Sequence, residues 1–179
     1  MKIGITGAHS TGKTTLLNAL RGEASLAGYD YCVEVTRWVK RLGFSINENS
    51  SDEVQELVMI KHVYNMFMHD NSISDRTVLD GLVYSTWLNR NGKVSNKTLD
   101  MVNKVYDRME KEYDIIFYIR PEFEVEDDGV RSIDKRFHQE IVDLFEEVIK
   151  RKQIPVVQLT GSVRESVEQV LKEVECQTK

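Results

Sequence analysis

The chain has 179 residues, enough for one domain that buries its own core without disulfides or a structural metal. Its net charge of −5 argues against a protein that coats duplex nucleic acid, since neutralising phosphates requires a basic surface, although a local basic cleft stays open. Cys32 and Cys176 lie far apart and outside any Cys-x-x-Cys spacing, which speaks against a disulfide framework and a cysteine zinc site. No apolar run reaches the roughly 18 residues of a membrane span, and Met1-Lys2 leads into a strand-like segment without a secretory pattern. A cytoplasmic chain is expected, with no membrane partner.

Apolar runs and helical periods alternate along the chain. Lys2–Thr6 reads as a short buried strand, and residues 13–27 as a helix with Leu16, Leu17 and Leu20 on one side. Tyr31–Val35 is β-rich, and residues 52–69 are helical, with Val54, Leu57, Val58 and Tyr64 near one face. Thr77-Val78-Leu79 reads as a brief strand ending at Asp80, followed by a helix over 82–90. Leu99, Val102, Tyr106 and Met109 form another helical stripe, and Ile115–Ile119 is the clearest apolar strand. Residues 121–132 are charged, contain glycine and lack periodicity, so a mobile loop is expected there. Ile141, Leu144, Phe145, Val148 and Ile149 then mark a helix. Pro155 opens a last strand through Leu159, and Val163, Val167, Val170, Leu171 and Val174 mark a final helix. This alternation predicts a single α/β domain over 1–179 with a mainly parallel sheet and right-handed crossovers.

The strongest motif is Gly7-Ala8-His9-Ser10-Thr11-Gly12-Lys13-Thr14, a complete G-x-x-x-x-G-K-[ST] pattern between a predicted strand and a predicted helix. Two glycines let the backbone curl so that successive N–H groups face phosphate oxygens, and the helix turns its positive end on the same anion. Gly7 through Thr14, with the adjoining Thr15, are therefore the candidate ATP-binding residues. Lys13 is expected on the β- and γ-phosphates and the Thr14 hydroxyl on Mg²⁺. His9 occupies a variable position and is expected to be a solvent-facing filler. The nearest approach to a guanine-reading Asn-Lys-x-Asp motif, Asn96-Lys97-Thr98-Leu99, has Leu99 in place of the aspartate. A ring-forming ATPase would need more chain for its lid domain, so a kinase with a compact lid fits the length better.

Three polar groups follow predicted strands, where open α/β sheets bind ligands. Glu34 can accept the proton of an attacking hydroxyl, and Arg37 can hold a ribose, phosphate or carboxylate. Asp80 is expected to orient Mg²⁺ opposite Thr14 and to help position the acceptor, with a helix N-cap as a compatible second role. Asp75, placed before the expected strand, reads as structural. Arg131 and Arg136 flank a charged stretch suited to closing over a transferring phosphoryl group, which defines a lid of about 121–136. Tyr84 and Trp87 can stack on a base or serve the core, and Thr160-Gly161-Ser162 can approach adenine or cap a helix. His62, His69 and His138 show no zinc-ligand spacing.

Together, the Gly7–Thr14 loop, Glu34-x-x-Arg37, Asp80 and Asp127-Asp128-Gly129-x-Arg131-Ser132 resemble the ribosylnicotinamide kinase domain of NAD-salvage proteins, over almost the whole chain. Leu79-Asp80-Gly81-Leu82-Val83-Tyr84-Ser85-Thr86 is similar to the acceptor segment of thymidylate kinases, except that Gly81 stands where an arginine normally follows the aspartate. The resemblance implies a P-loop kinase fold, three-layer α/β/α, with strand order 2-3-1-4-5. It also implies ATP and Mg²⁺ as cofactors and a nucleoside or nucleotide as the small-molecule acceptor. Catalytic roles would fall to Lys13, Asp80, Glu34, Arg131 and Arg136, and acceptor contacts to Glu34, Arg37, Asp80 and Tyr84. A deoxynucleoside monophosphate acceptor, a modified base in DNA and a nucleotide-dependent switch remain as alternatives.

Overall fold

The computed structural model describes residues 1–33, 35–121 and 134–177. In chain order the elements are β1 (Lys2–Thr6), α1 (Lys13–Leu20), β2 (Asp30–Cys32), α2 (Val35–Arg41), α3 (Asp52–Met68), β3 (Ser72–Asp75), α4 (Val78–Arg90), α5 (Asn96–Met109), β4 (Ile115–Ile119), α6 (Lys135–Lys152), β5 (Val157–Leu159) and α7 (Val163–Gln177). The five strands form one sheet in the order β2-β3-β1-β4-β5, the order implied by the kinase resemblance, and every pairing is parallel.

Side-chain alternation along the strands builds two cores. Ile3 and Ile5 of β1, Ile73 of β3 and Ile115 and Phe117 of β4 face α1 and α7, where they meet Leu16, Leu17, Leu20, Val170 and Val174. Ile116 and Tyr118, one residue out of phase, face α4, α5 and α6 and meet Leu82, Tyr106, Ile141 and Phe145. The result is three layers, with helices on both faces of a sheet whose central strands are buried. In register, Ile5 lies beside Asp75 and Thr6 beside Tyr118, so the carboxyl ends of β1, β3 and β4 open on one edge of the sheet.

Two expected boundaries move. Helix α1 stops at Leu20 rather than at 27, because the chain turns through Gly22 and forms a short 3₁₀ turn over Ala24–Leu26. The third strand is Ser72–Asp75, and Thr77-Val78-Leu79 belongs to a helix start instead. Arg76 takes a left-handed backbone conformation with φ 76°, which breaks the strand. Thr77 then caps α4: its side chain accepts from Leu79 N–H at 3.1 Å, while Asp80 reaches back to Thr77 N–H at 2.8 Å. The four residues of β3 include two serines, small enough to sit under helices in a buried parallel strand, and they leave no apolar run to read.

Among the described residues no helix is long and apolar enough to cross a membrane.

His62, on the inner face of α3, is buried, and burial depresses its pKa to about 4, with Asp80 pulling it up and Arg76 down. The unfolded chain binds this proton near pH 6.5, whereas the folded chain refuses it until about 4. Stability is therefore complete above pH 6.5 and falls as pH drops through this window, by up to about 1.4 kcal/mol per pH unit. His62→Gln, neutral at every pH, is expected to make that part of the pH–stability profile shallower in urea unfolding; an unchanged slope would assign the loss to other groups.

Candidate active site

The Gly7–Thr14 segment links β1 to α1 as a tight loop. Gly7 and Gly12 hold φ of 143° and 82°, and a Cβ on Gly7 would strike the Ile119 carbonyl oxygen. Lys13, buried at the start of α1, folds back over the loop; its Nζ donates to Gly7 O at 2.8 Å, to Ala8 O, and to Thr11 Oγ1 at 3.0 Å. Ser10 sits in the left-handed region at φ 62°, and Thr15 is exposed on α1. His9 is not the solvent-facing filler expected: it is buried, its N–H donates to Tyr84 Oη at 3.1 Å, and its ring stacks on Phe137.

The corrected third strand changes the acidic assignments. Asp75, at its carboxyl end and buried, accepts from the Thr14 hydroxyl at 2.8 Å. Asp75 and Thr14 thus form the hard-oxygen pair beside the phosphate loop, and such donors suit Mg²⁺, which keeps waters and phosphate oxygens as its other ligands. Asp80, expected opposite Thr14, is engaged otherwise. Its carboxylate accepts from Thr6 Oγ1 at 2.6 Å, Thr77 N–H at 2.8 Å and Arg76 Nη1 at 3.2 Å. An Asp-Arg pair stands instead at Asp75-Arg76, five residues earlier in the chain.

Beside this corner lies a narrow cleft, about 20 Å³ in volume, lined by Gln55, His62, Arg76, Asp80, Gly81 and Tyr84. Gln55 is buried with a fixed amide: Nε2 donates to Ser50 Oγ at 2.7 Å, and Oε1 accepts from Ser85 Oγ at 2.9 Å. Each side of the amide keeps one further hydrogen-bonding position. Arg76 and Asp80 form a buried ion pair, and the Arg76 guanidinium lies 5.4 Å from the Tyr84 ring centroid.

The other expected residues separate. Arg37 and Trp38 on α2 line a groove that also holds Thr14 and Asp75, so Arg37 sits on the phosphate side rather than in the cleft. Glu34 and Arg131 lie outside the described residues, as does most of the expected lid. From Asp134 onward that segment is the cap and first turn of α6, and Arg136 is exposed there, with its Nε donating to Glu140 at 2.8 Å. Trp87 packs edge-on against Phe137 and also donates to Glu140, which makes it part of the core. Thr160, Gly161 and Ser162 line a second cleft with Thr11 and Gly12, on the far side of the loop. Ser162 also bonds with Glu165 at the start of α7, which makes it a helix cap.

The sequence matches an AAA domain family over residues 2–166. The chain belongs to this family. No curated protein matches it in sequence. Among solved structures it is similar to deoxyadenosine kinase from M. mycoides with dCMP and dCDP bound, at 17% identity and a TM-score of 0.71, over 98% of this chain and 99% of that one. NadR in complex with NAD and AMP-PNP aligns at 13% identity and a TM-score of 0.74, over 99% of this chain and 49% of NadR. YorR from Bacillus subtilis, in complex with phosphorylated GDP, aligns at 18% identity and a TM-score of 0.63, over 99% of this chain and 98% of that one. These likenesses establish the fold of P-loop nucleoside and nucleotide kinases.

Gln55, Asp75 and Arg76 were not expected from the sequence. An Asp-Arg pair was the legible signal, masked because the strand was sought five residues too late. Gln55 carries no local signal at all, since its place depends on how α3 packs against α4.

Asp75→Asn is expected to weaken Mg²⁺-dependent binding of a non-hydrolysable ATP analogue by about tenfold or more, read by calorimetry with and without the metal. Asp80→Asn should act mainly on stability, costing about 1–3 kcal/mol in urea unfolding through the lost cap and ion pair. The opposite pattern would reverse the two assignments.

Proposed function

We propose that the protein is an ATP- and Mg²⁺-dependent kinase that transfers the γ-phosphoryl group to a hydroxyl of a nucleoside. The observation that carries this reading is the juxtaposition of Thr14–Asp75 beside the phosphate loop with a cleft whose polar wall is Gln55, Arg76, Asp80 and Tyr84. The nucleotide would lie with its phosphates over Gly7–Thr14 and its adenine toward the turn at Thr160–Ser162. Lys13 would exchange the loop carbonyls for phosphate oxygens, and bound Mg²⁺ would supply charge neutralisation at Thr14 and Asp75. Glu34, between β2 and α2, carries the expected role of accepting the acceptor's proton, and Arg131 and Arg136 that of countering charge on the moving group.

The cleft's charge disfavours an anionic acceptor. Its guanidinium already answers a carboxylate at 3.2 Å, whereas a monophosphate acceptor would bring further negative charge to the same cleft. That ranks a nucleoside above a deoxynucleoside monophosphate. Gln55 favours a base with an amide-like donor–acceptor edge, because its fixed amide can pair with a carboxamide or with the N6/N7 edge of adenine. Nicotinamide riboside is the first acceptor on this reading, and deoxyadenosine is the second. A base in DNA ranks lower, given the net charge of −5.

The test is ADP release from ATP and Mg²⁺ across nicotinamide riboside, the common nucleosides, each deoxynucleoside monophosphate and DNA. Strong stimulation by a free nucleoside is expected, with Gln55→Ala raising its KM about 10- to 100-fold while ATP binding holds. Stimulation by monophosphates alone would overturn the nucleoside assignment. No stimulation by any acceptor would overturn the kinase reading in favour of a nucleotide-dependent switch.

A further inference from the structure

Tyr84 belongs to two sites at once. Its ring helps to wall the acceptor cleft, where Arg76 lies over it, 5.4 Å from the centroid. Its hydroxyl bonds with the Arg76 side chain and reaches into the phosphate loop, where it accepts from His9 N–H at 3.1 Å and lies 3.0 Å from His9 Nδ1. Burial raises the phenol's pKa above its ordinary value, so the hydroxyl keeps its proton at neutral pH. One oxygen that accepts from the amide and gives its own proton to Nδ1 satisfies both contacts, with the imidazole as the Nε2–H tautomer. The His9 ring is also stacked on Phe137, at 5.3 Å, and meets the edge of His138, at 4.6 Å. Residue 9 of the loop is therefore held from α4 and from α6 together.

This arrangement has a consequence for the nucleotide. His9 N–H belongs to a loop whose amides bind phosphate oxygens, and an amide has one proton to give. While Tyr84 accepts that proton, no phosphate oxygen does. We propose that Tyr84 is a positioning residue that couples the two substrate sites. Its hydroxyl holds the His9 amide until an acceptor enters the cleft, engages Arg76 and the tyrosine ring, and draws the hydroxyl away. The freed amide then joins the phosphate cradle. The proposal rests on the kinase reading and adds a reason why ATP is not lost to water: the full grip on its phosphates is made only when an acceptor is present. Linkage makes the effect reciprocal, so bound nucleotide tightens the acceptor by the same factor.

The Tyr84→Phe variant keeps the ring and the wall of the cleft but removes the hydroxyl. Its AMP-PNP affinity without acceptor is expected to rise about 10- to 100-fold over wild type, the worth of one hydrogen bond to a charged group. Hydrolysis of ATP in the absence of acceptor should rise with it. In wild type, saturating nicotinamide riboside or deoxyadenosine should tighten AMP-PNP by a similar factor, and in Tyr84→Phe it should change nothing. A hydroxyl that merely braced the loop would give weaker binding on removal, so the sign of the change separates the two. Calorimetry supplies the affinities, and a retained melting temperature shows that the variant is folded. AMP-PNP binding no tighter in Tyr84→Phe, or a surviving acceptor response in it, overturns the proposal. The acceptor-free arm decides the latch even if neither nucleoside binds, and that result would count against the acceptor assignment instead. A second reading in the unaltered protein is the His9 amide resonance, expected to shift on addition of acceptor alone; one that ignores a bound acceptor overturns the coupling.

Discussion

A carboxylate folded back on the start of its own helix sets the geometry of the site. Asp80 Oδ2 accepts from Thr77 N–H and from the Thr6 hydroxyl, and Thr6 is the last residue of β1 before the phosphate loop. One side chain therefore ties the beginning of α4 to the end of the central strand. The strand-ending turn at Arg76 follows from the same corner, because a helix capped at residue 77 leaves Arg76 as the only residue in which the chain can change direction after Asp75. Asp75 is left at the strand end facing Thr14, and Arg76 is turned toward the cleft. The proposed metal side and acceptor side of the site are neighbours in sequence because this corner is so short.

Electrostatics in the cleft follow from the same contacts. Arg76 and Asp80 are both almost fully buried, so each compensates the other's loss of hydration. His62, packed against them, is held neutral by its own burial. On the proposed reading, a polar cavity with a fixed amide selects by hydrogen-bond pattern, which suits a nucleoside base. Charge is concentrated instead at the loop, with Lys13 and the α1 N-terminus on one side and Arg37 in the adjoining groove. On the proposed reading, keeping a cationic phosphate site apart from the acceptor cleft discourages either substrate from occupying the other's place.

Much of this was legible in the sequence, for physical reasons. The phosphate loop announces itself because its backbone path demands glycine at defined positions. Strands β1 and β4 and helices α5, α6 and α7 are legible because each buries an apolar set with a clear period. Strand β3 was misplaced because Ser72, Ser74 and Asp75 surround one isoleucine, whereas Thr77-Val78-Leu79 has β-branched and apolar residues that favour a strand locally. The capping box at Thr77 and Asp80 overrides that preference. The same shift moves the proposed metal role from Asp80 to Asp75, the aspartate that ends the strand. Gln55 and the His9–Tyr84 contact depend on tertiary packing between elements distant in sequence, and no local pattern reports them.

The central claim is the division of labour between two aspartates five residues apart, and a crystal structure with AMP-PNP and Mg²⁺ bound tests it most directly. The account predicts the metal about 2.1 Å from the Thr14 hydroxyl, with Asp75 reaching it directly or through one water. Asp80 should remain on Thr77 and Thr6. A metal coordinated by Asp80, with Asp75 turned elsewhere, would contradict the account.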